Sequence, residues 1–258
     1  MGSTLHPVLQ ASLPMACLAA VLALPLPAVR AQMPMDPHEG HGDVHRDPDD
    51  PHRDHRMQES GPSGDVPGHD HSAHMHDVGP AGDTYDLRFI DAMVQHHTGA
   101  LRMGEFVFDI GEPGVGALAK TIWREQAQEI RAMNLWRKRW YPEAPVFPVV
   151  LAPNGDPDSI AALIRMSPEQ IIGMRMVATL PTRENRVVWF LEGMLHHHGA
   201  ALKMAHDARQ KSTNATIRRF ARDVIVAQRA EIRQLRGMLR LEGLEKPDYY
   251  AYDPYFAL

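Results

Sequence analysis

The sequence predicts an all-α fold: a four-helix bundle made from two duplicated helical hairpins, preceded by a disordered His-rich tail. Three observations carry this. Helical periodicity starts near Thr84 and runs, with short interruptions, to about Leu241. A long pattern within that span recurs at an offset of 101 residues. Ahead of it, residues 32–83 hold almost no aliphatic side chains.

The first element, residues 1–31, reads as an export signal. An apolar stretch from Ala11 to Val29 ends in Val29, Arg30 and Ala31, a cleavage pattern just before Gln32. Its start lacks Lys and Arg, so a retained membrane anchor is the alternative, although Pro14, Pro25 and Pro27 suit a membrane span poorly. Cleavage leaves a periplasmic or secreted chain with no further membrane segment. The single cysteine, Cys17, lies inside this signal, so the mature chain has neither disulfides nor thiolate ligands.

Residues 32–83 form the second element, with twelve acidic side chains against three basic ones. Rich in Pro, Gly, Asp and His, they cannot bury enough apolar surface to offset the entropy of ordering, and disorder is expected. The segment holds His38, His41, His45, His52, His55, His69, His71, His74, Met75 and His76. Such a density of imidazole suits weak, multiple coordination of Cu(II), Zn(II) or Ni(II), lost as the rings protonate. A solvated acidic linker is the bland reading of the same composition.

The bundle, residues 84–245, holds 23 basic and 20 acidic side chains once the short C-terminal extension 246–258 is counted with it. That balance argues against nucleic acid, which calls for a concentrated basic face. Its first helix is expected from about Tyr85 to Asp109, broken by Gly111, Pro113 and Gly114. A second runs from about Val115 to Arg139. A Pro-rich connection from Tyr141 to Pro157 leads to one or two short helices, one opening with Ser167, Pro168 and Gln170 as a capping box. Pro181 and Thr182 introduce the third long helix, to Lys211, and Asn214 caps the fourth, which ends near Gly243.

The repeat decides the architecture. Phe89, Asp91, Met93, His96 and His97 match Phe190, Glu192, Met194, His197 and His198, and Ala100 and Met103 match Ala201 and Met204. Gln126, Glu129 and Ile130 recur as Gln228, Glu231 and Ile232. Two hairpins duplicated in one chain make a four-helix bundle the natural product.

On a helix, Met93, His96, His97, Ala100 and Met103 share a stripe about 120° wide, and so do their partners in the second copy. Each stripe joins thioether to imidazole around a small residue. Thioether favours Cu(I) and Ag(I); imidazole suits copper, zinc and nickel. A Met on an amphipathic helix is usually core filler, but two such sets at one spacing are hard to attribute to packing. Metal candidates are therefore Met93, His96, His97, Met103, Met194, His197, His198 and Met204. Glu129 and Glu231 fall at the edge of the core face, where they could orient a ligating imidazole or simply be solvated. His196 aligns with Gln95 and is expected to be peripheral.

The repeated F-x-x-x-M-x-x-H-H-x-x-A-x-x-M pattern, each copy followed by Q-x-x-E-I, resembles the domain of unknown function 305 family over about Thr84 to Leu241. That family is similar to ferritin-like bundles, and its exported, CopM-like members look like copper and silver binders in metal resistance. The resemblance implies copper handling by the same eight Met and His residues, with a copper exporter or oxidase as partner.

The chief rival is a di-iron or di-manganese oxidase, whose bundle sites use Glu-x-x-His. Neither motif helix has that spacing: Asp91 and Glu192 lie about 120–140° from the histidines around the axis. A metal-binding protein without catalysis is the preferred expectation, with the tail loading or buffering ions and the bundle holding Cu(I) or Ag(I).

Overall fold

The computed structural model describes residues 76–258, apart from Glu112 and Ala178. The signal segment 1–31 and the tail candidates His38 through His74 and Met75 lie outside the described residues.

Four long helices form the bundle: α1 (Tyr85–Glu105), α2 (Val115–Trp140), α4 (Arg186–Lys211) and α5 (Ala215–Leu241). Helices α1 and α2 pack as one hairpin and α4 and α5 as the other, and the two hairpins meet along α1 and α4. The two histidine-bearing helices thus face each other across the core. Repeat-matched Phe89 and Phe190 are both fully buried, with Ile122, Leu191, Val224, Ile225 and Ile232 around them.

Helix α1 stops four residues short of its expected end. The chain tightens after Gly104, with Val107 N–H donating to the Gly104 carbonyl and Ile110 N–H to that of Val107. Gly111 then takes φ +41°, and the Ile110 carbonyl accepts from Gly116 N–H in the first turn of α2. The connection is thereby folded against both helices, which apolar periodicity alone cannot reveal. Basic residues in the last turn of α2, Arg137 to Arg139, oppose its C-terminal dipole.

Between the hairpins lies α3 (Pro168–Arg175), which opens on the expected capping box of Ser167 and Gln170 and ends at Met176 in the left-handed conformation, φ 55°. The Pro-rich connection and the chain after it also form a two-stranded antiparallel ribbon that was not expected, β1 (Val149–Leu151) with β2 (Leu163–Arg165). Its signal was the β-branched pair Val149–Val150 beside Pro148, a run too short to separate from loop. Helix α4 begins at Arg186, later than expected. Thr182 and Asn185 exchange backbone-to-side-chain hydrogen bonds in a turn just before it. Asn214 caps α5 by accepting from Thr216 N–H.

Two boundaries move. Residues 76–83 were expected to be disordered, yet they are tied to α1. Buried Arg88 donates to the carbonyls of Val78 and Pro80 and to Thr84 Oγ1. A buried guanidinium must find acceptors for its donors, and this polar stretch supplies them. Order here comes from hydrogen bonds, where composition weighed only apolar burial. At the other end, residues 246–258 pack on α4 and α5 through 3-10 turns at Pro247–Tyr250 and Asp253–Phe256. Tyr249 is 2% exposed, and a Cβ added at Gly199 would come within 2.2 Å of the Tyr252 ring. This extension belongs to the bundle's packing. Among the described residues, no helix is long and apolar enough to cross a membrane.

Candidate metal centre

The motif puts adjacent histidines on α1 and on α4, and the packing of these helices brings the two pairs together. The rings of His96 and His197, repeat equivalents, lie 3.7 Å apart between centroids, tilted by 40°. His197 Nε2 donates to the His96 carbonyl at 2.9 Å. Their outer neighbours each meet a carboxylate of their own hairpin. His97 Nε2 hydrogen-bonds Glu129 Oε2 at 2.7 Å, and His198 Nε2 lies 2.7 Å from Glu231 Oε2 without hydrogen-bond alignment.

At His97 and His197 these partners orient the ring: a carboxylate or a carbonyl only accepts, so Nε2 is the donor and, in the neutral ring, Nδ1 keeps its lone pair. All four rings are fully buried, and the Nδ1 of each, with Nε2 of His96 and of His198, makes no hydrogen bond. A buried polar atom without a partner costs about 1–3 kcal/mol, so the cluster is a liability to the bundle unless the lone pairs serve something else. Burial, reinforced by the neighbouring imidazoles, holds His96 and His197 well below the ordinary imidazole pKa. They are neutral near pH 7, the form a metal requires.

The thioethers belong to the same core. Met93, Met103, Met194 and Met204 are 0–2% exposed. Met103 crosses to α4, its methyl group seated where a Cβ on Gly193 would come within 2.6 Å. Gln126 and Gln228, one helical turn before Glu129 and Glu231, are also buried, with both amide atoms of Gln126 and the Oε1 of Gln228 without partners. Among the described residues no three His, Cys, Asp or Glu side chains converge as a ready-made cation cage. The donors are instead paired imidazoles set in a thioether-rich core, which fits a soft ion better than a hard one.

Asp91 and Glu192 turn elsewhere. Asp91 accepts from Arg137 Nε at 2.5 Å, from Arg137 Nη2 at 3.1 Å and from Val149 N–H at 2.9 Å. Glu192 binds Lys246 Nζ and the Tyr249 hydroxyl. His196 is half-buried on the outer side of α4 and contacts the Tyr252 hydroxyl at 3.1 Å; its repeat counterpart Gln95 accepts from Arg175. Close covers protect both motif helices. At Gly99 a Cβ would come within 1.9 Å of the Arg175 carbonyl, as the end of α3 lies directly on α1.

One residue assigned by sequence to the tail joins this cluster: the His76 ring stands edge-on to His96, 5.5 Å between centroids. Its company in sequence is a run of tail histidines, and nothing in its spacing distinguishes it. The signal that could have found it is Arg88, a cation on an otherwise core-facing turn that needs chain folded back over it.

A comparison with curated proteins returns no match. Among solved structures, the chain is similar to CopM in the Cu(I)-bound form, at 25% identity over 60% of this chain and 95% of that one, TM-score 0.44. It is similar to CopM in an Ag-bound form obtained by co-crystallization, at 26% identity over 60% and 95%, TM-score 0.43. It is also similar to a DUF305 fragment from Deinococcus radiodurans, at 26% identity over 62% and 98%, TM-score 0.44. The family model described as Domain of unknown function (DUF305) matches residues 38–137 and again 86–239. The second match spans all four long helices and both histidine motifs, and on it the chain belongs to the DUF305 family.

Proposed function

We propose that the bundle binds a soft monovalent ion, Cu(I) foremost and Ag(I) by the same chemistry, as an exported protein of copper homeostasis or resistance. The observation that carries this reading is the set of four buried imidazoles whose Nδ1 lone pairs meet no partner, in a core that also holds the four repeat-matched thioethers. Met93, His96, His97, Met103, Met194, His197, His198 and Met204 supply the donors. Glu129 accepts from His97 Nε2 and fixes that imidazole, the usual office of a residue behind a metal ligand, and Glu231 lies beside His198 in the second copy. The tail contributes weaker sites for Cu(II), and less selectively for Zn(II) and Ni(II), and a copper exporter or oxidase is the partner that would receive or deliver the ion. The function is binding rather than catalysis. In favour of this over a di-iron or di-manganese oxidase, Asp91 and Glu192 are committed to Arg137 and to Lys246 with Tyr249. A hard, oxygen-rich site has few carboxylates left to draw on.

The test is a competitive Cu(I) titration of the mature chain, repeated with Met93, Met103, Met194 and Met204 changed to Leu. Met and Leu are close in volume, so each exchange costs less than about 1.5 kcal/mol of stability, while the soft donors vanish. A large loss of Cu(I) affinity in a folded variant is expected. Unchanged affinity sinks the Met/His site, and stoichiometric iron with oxidase activity favours the rival.

A further inference from the structure

A fully buried ligand set poses a question of access. His96, His97, His197 and His198 have no exposed surface, so an ion must be passed inward. Beside them an open surface pocket is lined by His76, Asp77, Met176, His196, His206 and Asp207. Its donors are of the same kinds as the buried set, imidazole and thioether, with two carboxylates added. The cations nearby are engaged: Lys203, also in the lining, sits over the Tyr252 and Tyr255 rings, and Lys211 pairs with Asp207.

His76 belongs to both places. It is half-buried in the pocket wall, and its ring stands nearly perpendicular to that of His96, 5.5 Å between centroids. The chain there is held by Arg88 through the Val78 and Pro80 carbonyls, and Asp77 reaches Lys211 at 3.5 Å. In sequence His76 directly follows His74 and Met75, the last donors of the tail.

We propose that His76 is a hand-over ligand, accepting a soft ion at the surface pocket and passing it to His96. This rests on the bundle being a soft-metal site. The step is a ligand exchange: a bond from the ion to His96 forms as its bond to His76 breaks, with no change of oxidation state and no proton released. Passing the ion directly between imidazoles spares it a fully hydrated state inside an apolar core, whose cost is steep for any charge. His76 therefore governs how fast the site fills, while the buried donors govern how tightly it holds.

The experiment follows Cu(I) transfer from its bicinchoninate complex to the mature chain by stopped-flow absorbance, for wild type, His76→Ala and His76→Met. With one ligand contact worth about 1.4 kcal/mol missing from the transfer state, loading of His76→Ala slows about tenfold. Its equilibrium affinity is retained, and His76→Met, which keeps a soft donor, recovers most of the rate. Unchanged loading in His76→Ala overturns the hand-over alone. So does equal slowing in both variants, which assigns His76 to packing, and so does a loss of affinity without a change in rate, which makes it a resident ligand. A wild-type chain that takes up no Cu(I) removes the bundle site itself, and the hand-over with it.

Discussion

Replacing Asp91 by Ala should unfold the bundle more easily without touching its affinity for Cu(I). Asp91 is 4% exposed and accepts three hydrogen bonds, two from Arg137 and one from the buried Val149 amide that ties β1 to α1. Removing one partner of a fully buried pair costs about 3–5 kcal/mol, because the other charge is left uncompensated. Two facts reduce that here: the Arg137 side chain is 16% exposed, and it keeps the Pro145 and Phe147 carbonyls at 2.7 and 3.0 Å. One fact restores part of it, since the Val149 amide loses its acceptor, at about 1–3 kcal/mol for an orphaned buried group. The net expectation is about 3 kcal/mol. At about 2–4 °C per kcal/mol for a unit of this size, that lowers Tm by about 6–12 °C. Differential scanning calorimetry reads the loss, and a Cu(I) competition titration reads the affinity. Asp91→Asn keeps one acceptor oxygen and should lose less stability. If Asp91→Ala unfolds like wild type, the latch is wrong; if folded Asp91→Asn loses metal, Asp91 is a ligand and the carboxylate rival gains its missing oxygen donor.

Three further outcomes follow from the same geometry. In the metal-free protein His96 and His197 stay neutral well below the pH at which an unfolded chain takes up protons. Their contribution is therefore fully present above about pH 6.5 and is lost as pH falls below it, by up to about 1.4 kcal/mol per pH unit for each histidine. Urea midpoints measured from neutral to mildly acidic pH check this, and a flat profile contradicts it. Glu129→Gln and Glu231→Gln should each weaken Cu(I) binding about 10–100-fold, the usual range for a residue that orients a ligand. The change at Glu129 is the larger, because its carboxylate makes the aligned hydrogen bond to His97 whereas Glu231 only lies beside His198; equal wild-type affinity in both variants would show that the carboxylates only solvate the bundle surface. Gly199→Ala drives a Cβ to 2.2 Å from the Tyr252 ring and should cost about 1–3 kcal/mol. Adding Tyr252→Ala relieves that clash, so the double variant must be non-additive in thermal denaturation.

Much of this arrangement could be read from the residues. Periodicity located the four long helices, and the duplicated motif paired them, because the same apolar and histidine stripe occurs twice. Gln126, Glu129, Gln228 and Glu231 were legible as a second repeated set facing the first. What escaped detection depends on contacts between segments distant in the chain. The β1–β2 ribbon is held by Asp91, 58 residues before Val149. Residues 76–83 are ordered by one buried arginine in a stretch whose composition signals disorder. The orphaned Gln126 and Gln228 amides look in sequence like any polar residue on a helix edge.

The duplication also explains why the site is a pair and where its symmetry fails. Between His96 and Met103 the partner residue on α4 changes from His197 to Gly193, so the two motif helices run antiparallel. Equivalent residues on antiparallel, duplicated helices meet each other on the local twofold axis, which is why His96 lies against His197 and the outer histidines turn to Glu129 and Glu231. Chain outside the repeat breaks this equivalence. The α3 carbonyl at Arg175 covers α1 at Gly99, whereas Tyr252 covers α4 at Gly199. His76 faces His96, the member of the central pair whose two ring nitrogens both meet no partner. His197 already spends its Nε2 proton on the His96 carbonyl. An ion arriving from the pocket thus meets first the imidazole with the most open coordination. On the proposed hand-over, the near-symmetric pair is filled from one side.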